Sequence, residues 1–118
     1  MVENVIENKS FQFAVRIVNL YKHLTNDKKE YVMSKQLLKC GTSIGANVAE
    51  AERGQSKADF YAKLSIALKE SHETYYWLRL LKTTEYLTEK EFVSLEKDIK
   101  EIIALLIAIC KTTQQNQK

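Results

Sequence analysis

Apolar residues recur every three or four positions along most of this chain, which is the period of an amphipathic α-helix. One series runs from Phe13 to Leu24, a second from Met33 to Ala51, a third from Phe60 to Leu81 and a fourth from Phe92 to Ile109. Polar stretches separate the four series. The pattern therefore predicts four helices, at about residues 10–25, 29–53, 57–83 and 89–112.

Two of these helices are preceded by a recognisable start signal. Ser56 is followed three positions later by Asp59, and Thr88 is followed three positions later by Glu91, as in a capping box. The link before Ser56 is very short, and short links between helices place them antiparallel. The chain has 118 residues, no proline and three glycines, a composition that favours helices over turns. We expect one all-α domain over residues 1–118.

All three glycines fall in one run, "CGTSIGANVAEAERG" at 40–54. The run has neither of the glycine patterns that cradle phosphates, and the apolar period continues through it. Gly41, Gly45 and Ala49 recur every four positions, so they share one helix face and predict an unusually close approach of another helix. Gly54 stands where the second helix should end, and we expect it to adopt the left-handed conformation of a helix C-terminus.

The fourth helix carries more apolar surface than one core requires. The run "IIALLIAI" at 102–109 is apolar on nearly every face, whereas a helix of a four-helix bundle buries one stripe. The first helix also has a broad apolar arc, which Phe11, Val15 and Val18 widen beyond its main stripe. The surplus on the fourth helix predicts contact with a neighbouring subunit.

Positive charge is concentrated in the first part of the chain. The net charge is +3, but residues 9–49 hold seven basic and two acidic residues, whereas residues 50–118 hold eleven of each. This asymmetry is compatible with an anionic partner such as RNA, although scattered lysines on a solvated helix face are the more common reason for it. The candidate nucleic-acid-binding residues are Arg16, Lys22, Lys35, Lys39 and Arg53.

A polar stripe on the second and third helices raises the question of catalysis. The stripe consists of Ser43, Asn47, Glu50, Glu70 and Glu73. Carboxylates inside a bundle suggest a di-iron site, which requires Glu-x-x-His motifs. That test fails, because Lys69 stands three residues before His72 and Leu20 three before His23. We expect no metal, no cofactor and no enzymatic activity, and a satisfied polar network or a recognition groove in their place.

The two cysteines and the chain ends indicate a cytoplasmic protein. Cys40 and Cys110 are far apart and form no metal-binding or disulfide pattern, so both are expected as buried thiols. The N-terminal segment lacks the basic and apolar regions of a signal peptide, and the apolar run of the fourth helix is too short to span a bilayer. We expect a soluble protein with no membrane partner.

The runs "TSIGANVAEAERG" and "SKADFYAKLSIALKESHETYYWLRLL" closely resemble the bacterial four helix bundle protein family, whose founding members are encoded in intervening sequences of 23S ribosomal RNA genes. The resemblance spans about Phe11 to Ile109. It implies an antiparallel up-down four-helix bundle that assembles as a homopentameric ring. The accessory variability determinant of diversity-generating retroelements is similar to the same bundle and works with nucleic acid. Two departures are Ala51, where many relatives have Gly, and Lys39, where Arg is frequent.

Three hypotheses for the function follow. The first is a non-enzymatic pentamer that associates with RNA or another nucleic acid through the five basic candidates. The second is a scaffold ring that binds a protein partner through the polar stripe. The third, and the least favoured, is a metal enzyme built on the carboxylates and His72.

Overall fold

Four α-helices account for nearly the whole chain in a computed structural model, which describes the backbone of residues 2–117 and the side chains of residues 5–114. Helix α1 spans Val2–Asn26, α2 spans Met33–Glu52, α3 spans Lys57–Thr83 and α4 spans Glu89–Gln117. Within the described backbone there is no strand. The all-α expectation is therefore confirmed.

The start signals of α3 and α4 work as the sequence predicts. The Ser56 hydroxyl accepts the backbone N–H of Asp59 at 3.1 Å. At α4, the Thr88 hydroxyl accepts the N–H of Glu91 at 3.1 Å, and the Glu91 carboxylate accepts the N–H of Thr88 at 2.8 Å. Each bond satisfies a donor that the first turn of a helix otherwise leaves unpaired.

Three helix ends differ from the prediction. Helix α1 begins eight residues earlier, at Val2, because its buried face continues back through Ser10 and Ile6. Helix α4 continues to Gln117 because no glycine or proline interrupts its polar end. Helix α2 begins four residues later than expected, at Met33. Its start is delayed because Lys29 has a φ of 57°, which no right-handed helix accommodates.

The four helices form a bundle in which each helix is antiparallel to its neighbours. Helix α1 packs on α2, α2 on α3, α3 on α4, and α4 on α1. The molecule is 48 Å long and about 20 Å across. A single core runs along the axis. Its largest fully buried side chains are Phe13, Ile6, Ile17, Leu24, Leu37, Ile44, Leu64, Leu78, Leu81, Ile99, Ile102 and Leu106.

The glycines of α2 let it approach α1 closely. A Cβ atom on Gly41 would lie 2.9 Å from both γ carbons of Ile17, and one on Gly45 would lie 3.2 Å from the backbone oxygen of Ser10. Ala49, the third member of the predicted packing face, is exposed. It lines an open hollow of about 390 Å³ together with Phe11 and Gly45. The close contact therefore covers Gly41 and Gly45 and ends before Ala49.

Gly54 does not adopt the left-handed conformation expected of it, since no glycine in the described backbone has a positive φ. Helix α2 ends with the N–H groups of Arg53 and Gly54 donating to Glu50 O and Ala51 O. A Cβ on Gly54 would lie 3.1 Å from Ala51 O and 3.3 Å from Asp59 Cβ. The position therefore requires glycine for space, where the short link turns into α3.

Gly41→Ala is expected to lower the free energy of unfolding by about 1–2 kcal/mol. Alanine is the better helix former by up to about 1 kcal/mol, but its methyl group would collide with a β-branched side chain that cannot move aside, and such overpacking costs about 1–3 kcal/mol. Urea unfolding followed by circular dichroism measures the change. Gly45→Ala, with its longer contact, should cost less. A more stable Gly41→Ala protein would contradict this account of the α1–α2 contact.

Candidate nucleic-acid interface

The outward face of α2 carries two of the five basic candidates, and a third, Arg53, directly follows the helix. Lys35, Lys39 and Arg53 are all exposed, and their spacing places them on one side of the helix. The same side contains Thr42, Ala46 and Ala49 between the charged ends. No acidic residue occurs from Tyr31 to Ala49. This side of α2 is therefore basic at its start and small and uncharged in the middle, and at its end it carries both Glu50 and Arg53.

Helix α1 adds Lys22 but not Arg16. Lys22 is exposed, and no acidic residue occurs from Asn8 to Asn26. Arg16 points to the other flank of α1, where its guanidinium donates to Asp98 Oδ2 at 2.6 Å and to Ser94 Oγ at 2.8 Å on α4. Its charge is matched within the chain, so Arg16 joins two helices and lies apart from the basic side of α2.

The remaining four basic candidates take part in none of the ion pairs formed among the described side chains. They are not all together, however. Arg53 follows Lys35 by 18 positions, which corresponds to roughly 27 Å along a helix. Lys22, Lys35 and Lys39 lie toward the end of the bundle where α1 passes into α2. We call this region, residues 22–39, the basic end.

The two acidic residues of the basic end are both engaged locally. Asp27 Oδ2 lies 2.8 Å from His23 Nδ1. The buried Glu30 carboxylate accepts the backbone N–H groups of Val32 at 3.1 Å, Met33 at 3.0 Å and Ser34 at 2.7 Å, and so caps α2. Burial works to raise the pKa of Glu30, but these hydrogen bonds outweigh it and hold the pKa below its ordinary value.

The link between α1 and α2 contains exposed residues that the sequence did not single out. Tyr31 is 59% exposed and Val32 is 74% exposed, and Lys28 and Lys29 beside them are also exposed. The run "KKEYV" at 28–32 has the basic and aromatic residues of a nucleic-acid contact. The sequence places nearly all of this run inside the second predicted helix, at 29–53, and so assigns its side chains to a helix face. In the structure the run is a largely exposed link instead.

The polar stripe lies along the contact between α2 and α3, where its side chains mostly bond within the chain. Ser43 Oγ donates to Lys39 O at 2.7 Å, and Asn47 Nδ2 donates to Ser43 O at 2.8 Å. Glu50 pairs with Lys63 at 2.8 Å. These bonds leave the three α2 members of the stripe with partners inside the protein.

The α3 members of the stripe, Glu70 and Glu73, lie near Cys40 on α2. Burial, together with the negative charges of Glu73 and Glu70, raises the pKa of the Cys40 thiol to about 11. Glu73 also accepts the indole N–H of Trp77 at 3.1 Å. The structure thus brings the two halves of the stripe to one contact, and four of its five side chains, those of Ser43, Asn47, Glu50 and Glu73, bond within the chain.

Metal binding and membrane insertion find no support in the described part of the chain. No group of three or more His, Cys, Asp and Glu side chains there is placed to hold a metal ion. His72 is exposed, and His23 contacts Asp27. No helix among the described residues is long and apolar enough to cross a membrane.

A second exposed surface is apolar. Phe11 is 63% exposed and Val15 is 42% exposed on α1, where they line a hollow of about 250 Å³ with Ala14 and Val18. These four residues form the α1 patch. The sequence predicts that Phe11, Val15 and Val18 widen the buried stripe, but the buried side of α1 includes Ser10, Phe13, Ile17, Leu20 and Leu24, which face elsewhere.

Most of the apolar run of α4 enters the core of its own chain. Ile102, Leu106 and Ile109 are buried, and Ile103 and Leu105 are half-buried. The exposed remainder is Ile107, at 47%, together with Ala104 and Ala108. These three residues form the α4 patch, which is smaller than the sequence suggested.

Comparisons with known proteins agree with the resemblance seen in the sequence. The family model described as 23S rRNA-intervening sequence protein matches residues 3–108. A crystal structure of a Bacteroides thetaiotaomicron protein of unknown function, from the S23 ribosomal protein family, is 60% identical with a TM-score of 0.92. The match covers 94% of this chain and 99% of that one. No curated protein matches. The chain belongs to the 23S rRNA-intervening sequence protein family.

Proposed function

We propose that this protein is a non-enzymatic, oligomeric RNA-associated protein of the cytoplasm, which binds RNA through its basic end. The observation that carries the proposal is the separation of charge. Lys22, Lys35 and Lys39 project from segments, residues 8–26 and 31–49, that contain no acidic residue. Asp27 and Glu30, in the link between these segments, are both engaged locally. Phosphate neutralisation by such lysines supplies sequence-independent affinity for nucleic acid. The name of the family, which refers to 23S rRNA, supports RNA as the polyanion.

The oligomer is proposed to form by contact of the α1 patch of one copy with the α4 patch of the next. Both patches are exposed apolar surfaces, of the kind that marks interaction sites. Two different patches on one chain give a head-to-tail contact, which generates a ring when the rotation between copies closes and a filament when it does not. The family resemblance supports five copies for that ring.

The two proposed surfaces are compatible with each other. The α1 patch extends from Phe11 to Val18 in the first part of α1, whereas the basic end begins at Lys22 and continues through the link. Lys22 follows Val18 by one turn on the same helix face, so a subunit contact on the patch borders Lys22 and leaves the link at 27–32 outside it. In an oligomer the lysines of several copies would contribute to one positive electrostatic potential. The affinity for a polyanion would then be higher than that of a single copy.

The proposal predicts RNA binding that weakens steeply with salt. In fluorescence anisotropy with nuclease-treated protein, the affinity should fall between about 50 and 200 mM salt, because phosphate contacts release counterions. The double variant Lys35→Glu, Lys39→Glu should lose most of this affinity, and the slope of log affinity against log salt should fall by roughly 1 to 2.

A matched control makes the same charge change elsewhere. Lys69 on α3 and Lys97 on α4 are also exposed and form none of the ion pairs among the described side chains. The variant Lys69→Glu, Lys97→Glu should bind RNA far better than the basic-end variant. Equal losses would show that only net charge matters. Absence of RNA binding by the unmodified protein at low salt would reject the proposal and favour a protein partner.

A further inference from the structure

The most exposed apolar side chains of the basic end stand in the link between α1 and α2. Tyr31 is 59% exposed, and it makes no hydrogen bond or ring contact with any other described side chain. Val32 beside it is 74% exposed. Binding residues occur disproportionately in connecting segments that a rigid scaffold positions.

The backbone that carries Tyr31 is held on both sides. The N–H groups of Asp27 and Glu30 donate to His23 O and Leu24 O, both at 2.9 Å. The Glu30 carboxylate accepts the N–H groups of the three residues that follow Tyr31, namely Val32, Met33 and Ser34. Tyr31 lies between these two anchors. A ring presented on a fixed backbone loses little conformational entropy when a ligand packs against it.

Several lysines stand close to Tyr31 along the chain. Lys28, Lys29 and Lys35 all lie within four positions of Tyr31 and are exposed. The charge of Lys28 also acts on Glu91 of α4, whose pKa is lowered mainly by the Thr88 N–H. Lys29 and Lys35 remain for an external anion. A flat aromatic surface beside two ammonium groups matches a nucleotide, with its base on the ring and its phosphates near the lysines.

We propose that the link binds a single-stranded segment of RNA, with one base stacked on Tyr31 and adjacent phosphates beside Lys29 and Lys35. This inference rests on the proposed RNA association and specifies the class of RNA. The bases of a duplex are stacked on each other and are not available to a protein ring, whereas loops and ends offer unstacked bases. Tyr31 therefore distinguishes single strands from duplexes, and the lysines do not.

The test compares an unstructured RNA of about 12 nucleotides with an RNA duplex of the same length, both fluorescently labelled, by anisotropy. Tyr31→Ala should weaken single-strand binding by about tenfold and duplex binding by less than about twofold. Its salt slope should not change, because no charge is removed. Tyr31→Phe should retain the affinity, since the phenyl ring stacks as well.

Tyr76→Ala is the matched control, because Tyr76 on α3 is 53% exposed and stands outside the basic end; its affinities should equal those of the unmodified protein. If Tyr31→Ala binds single strands normally, or weakens both RNAs equally, the stacking inference is wrong. The proposed function still stands in that case, provided that Lys35→Glu, Lys39→Glu reduces binding. If the unmodified protein binds neither RNA at low salt, both proposals are wrong.

Discussion

Replacing Glu30 with alanine is expected to lower the free energy of unfolding by about 3 kcal/mol. The buried carboxylate accepts three backbone N–H groups at the start of α2. Bonds to a charged group contribute about 1.5–3 kcal/mol each, and the loss of a capping side chain costs about 1 kcal/mol in ordinary cases. Water will replace part of what the variant loses. Urea unfolding at neutral pH measures the difference.

The same substitution has a predictable pH dependence. The pKa of Glu30 is lowered from its ordinary value of 4.5 in the folded protein. Stability from a lowered pKa is fully present above the unfolded value and is lost as the pH falls through the folded value. The difference between the unmodified protein and Glu30→Ala should therefore be constant above about pH 5.5 and should shrink below about pH 4.5.

Glu30→Gln separates charge from hydrogen bonding. The amide oxygen can still accept N–H groups, but it carries no charge, so this variant should lose less stability than Glu30→Ala. Its difference from the unmodified protein should likewise shrink in acid. A Glu30→Ala protein as stable as the unmodified one at neutral pH would show that water caps α2 equally well.

Glu30 also shows why the start of α2 was not predicted correctly from the sequence. The starts of α3 and α4 depend on a Ser or Thr and an acidic residue three positions later, which is a short-range signal. At α2 the residue before the helix is Val32, which has no capping side chain. The acceptor comes from Glu30, and it reaches the first turn only because Lys29 turns the chain. No local pattern in the sequence encodes that turn.

The basic residues were identifiable from the sequence, but their directions were not. Arg16 and Lys9 are seven positions apart and thus share a helix face. Both point to α4, where Lys9 binds Glu101 at 2.9 Å and Arg16 binds Asp98. Counting charges along the chain treats Arg16 and Lys22 alike. Only the packing of α1 against α4 shows that one is matched within the chain and the other is not.

The sequence predicts the surplus of exposed apolar surface on α4, but in the structure the larger exposed apolar surface lies on α1. An apolar run such as "IIALLIAI" reveals how much apolar surface a helix has, but it does not reveal how much of that surface the helix's own bundle buries. Helix α3 and the adjacent part of the core cover most of it here, and Ile107 remains. On α1 the core occupies one side of the broad apolar arc, so Phe11 is left at 63% exposure.

Phe11→Glu is expected to convert the proposed oligomer into monomers without unfolding the protomer. Since Phe11 is mostly exposed within one chain, the substitution removes little from the core. In an interface between subunits it would bury an unpaired carboxylate, which costs several kcal/mol. Light scattering coupled to gel filtration should give the protomer mass of 13.7 kDa. Tyr76→Glu, a similar change on α3, should leave the mass of the assembly unchanged.

A second variant tests which surfaces meet. If the α1 patch packs on the α4 patch, Ile107→Glu should also be monomeric. A mixture of the two variants should nevertheless form a dimer of about 27 kDa, because one copy keeps an intact α4 patch and the other an intact α1 patch. If α1 patches instead pack on each other, Ile107→Glu stays assembled and the mixture gains no dimer. A monomeric unmodified protein would reject both arrangements. The dimer in the mixture is thus specific to a head-to-tail contact, the only one of the two that can close into a ring of five.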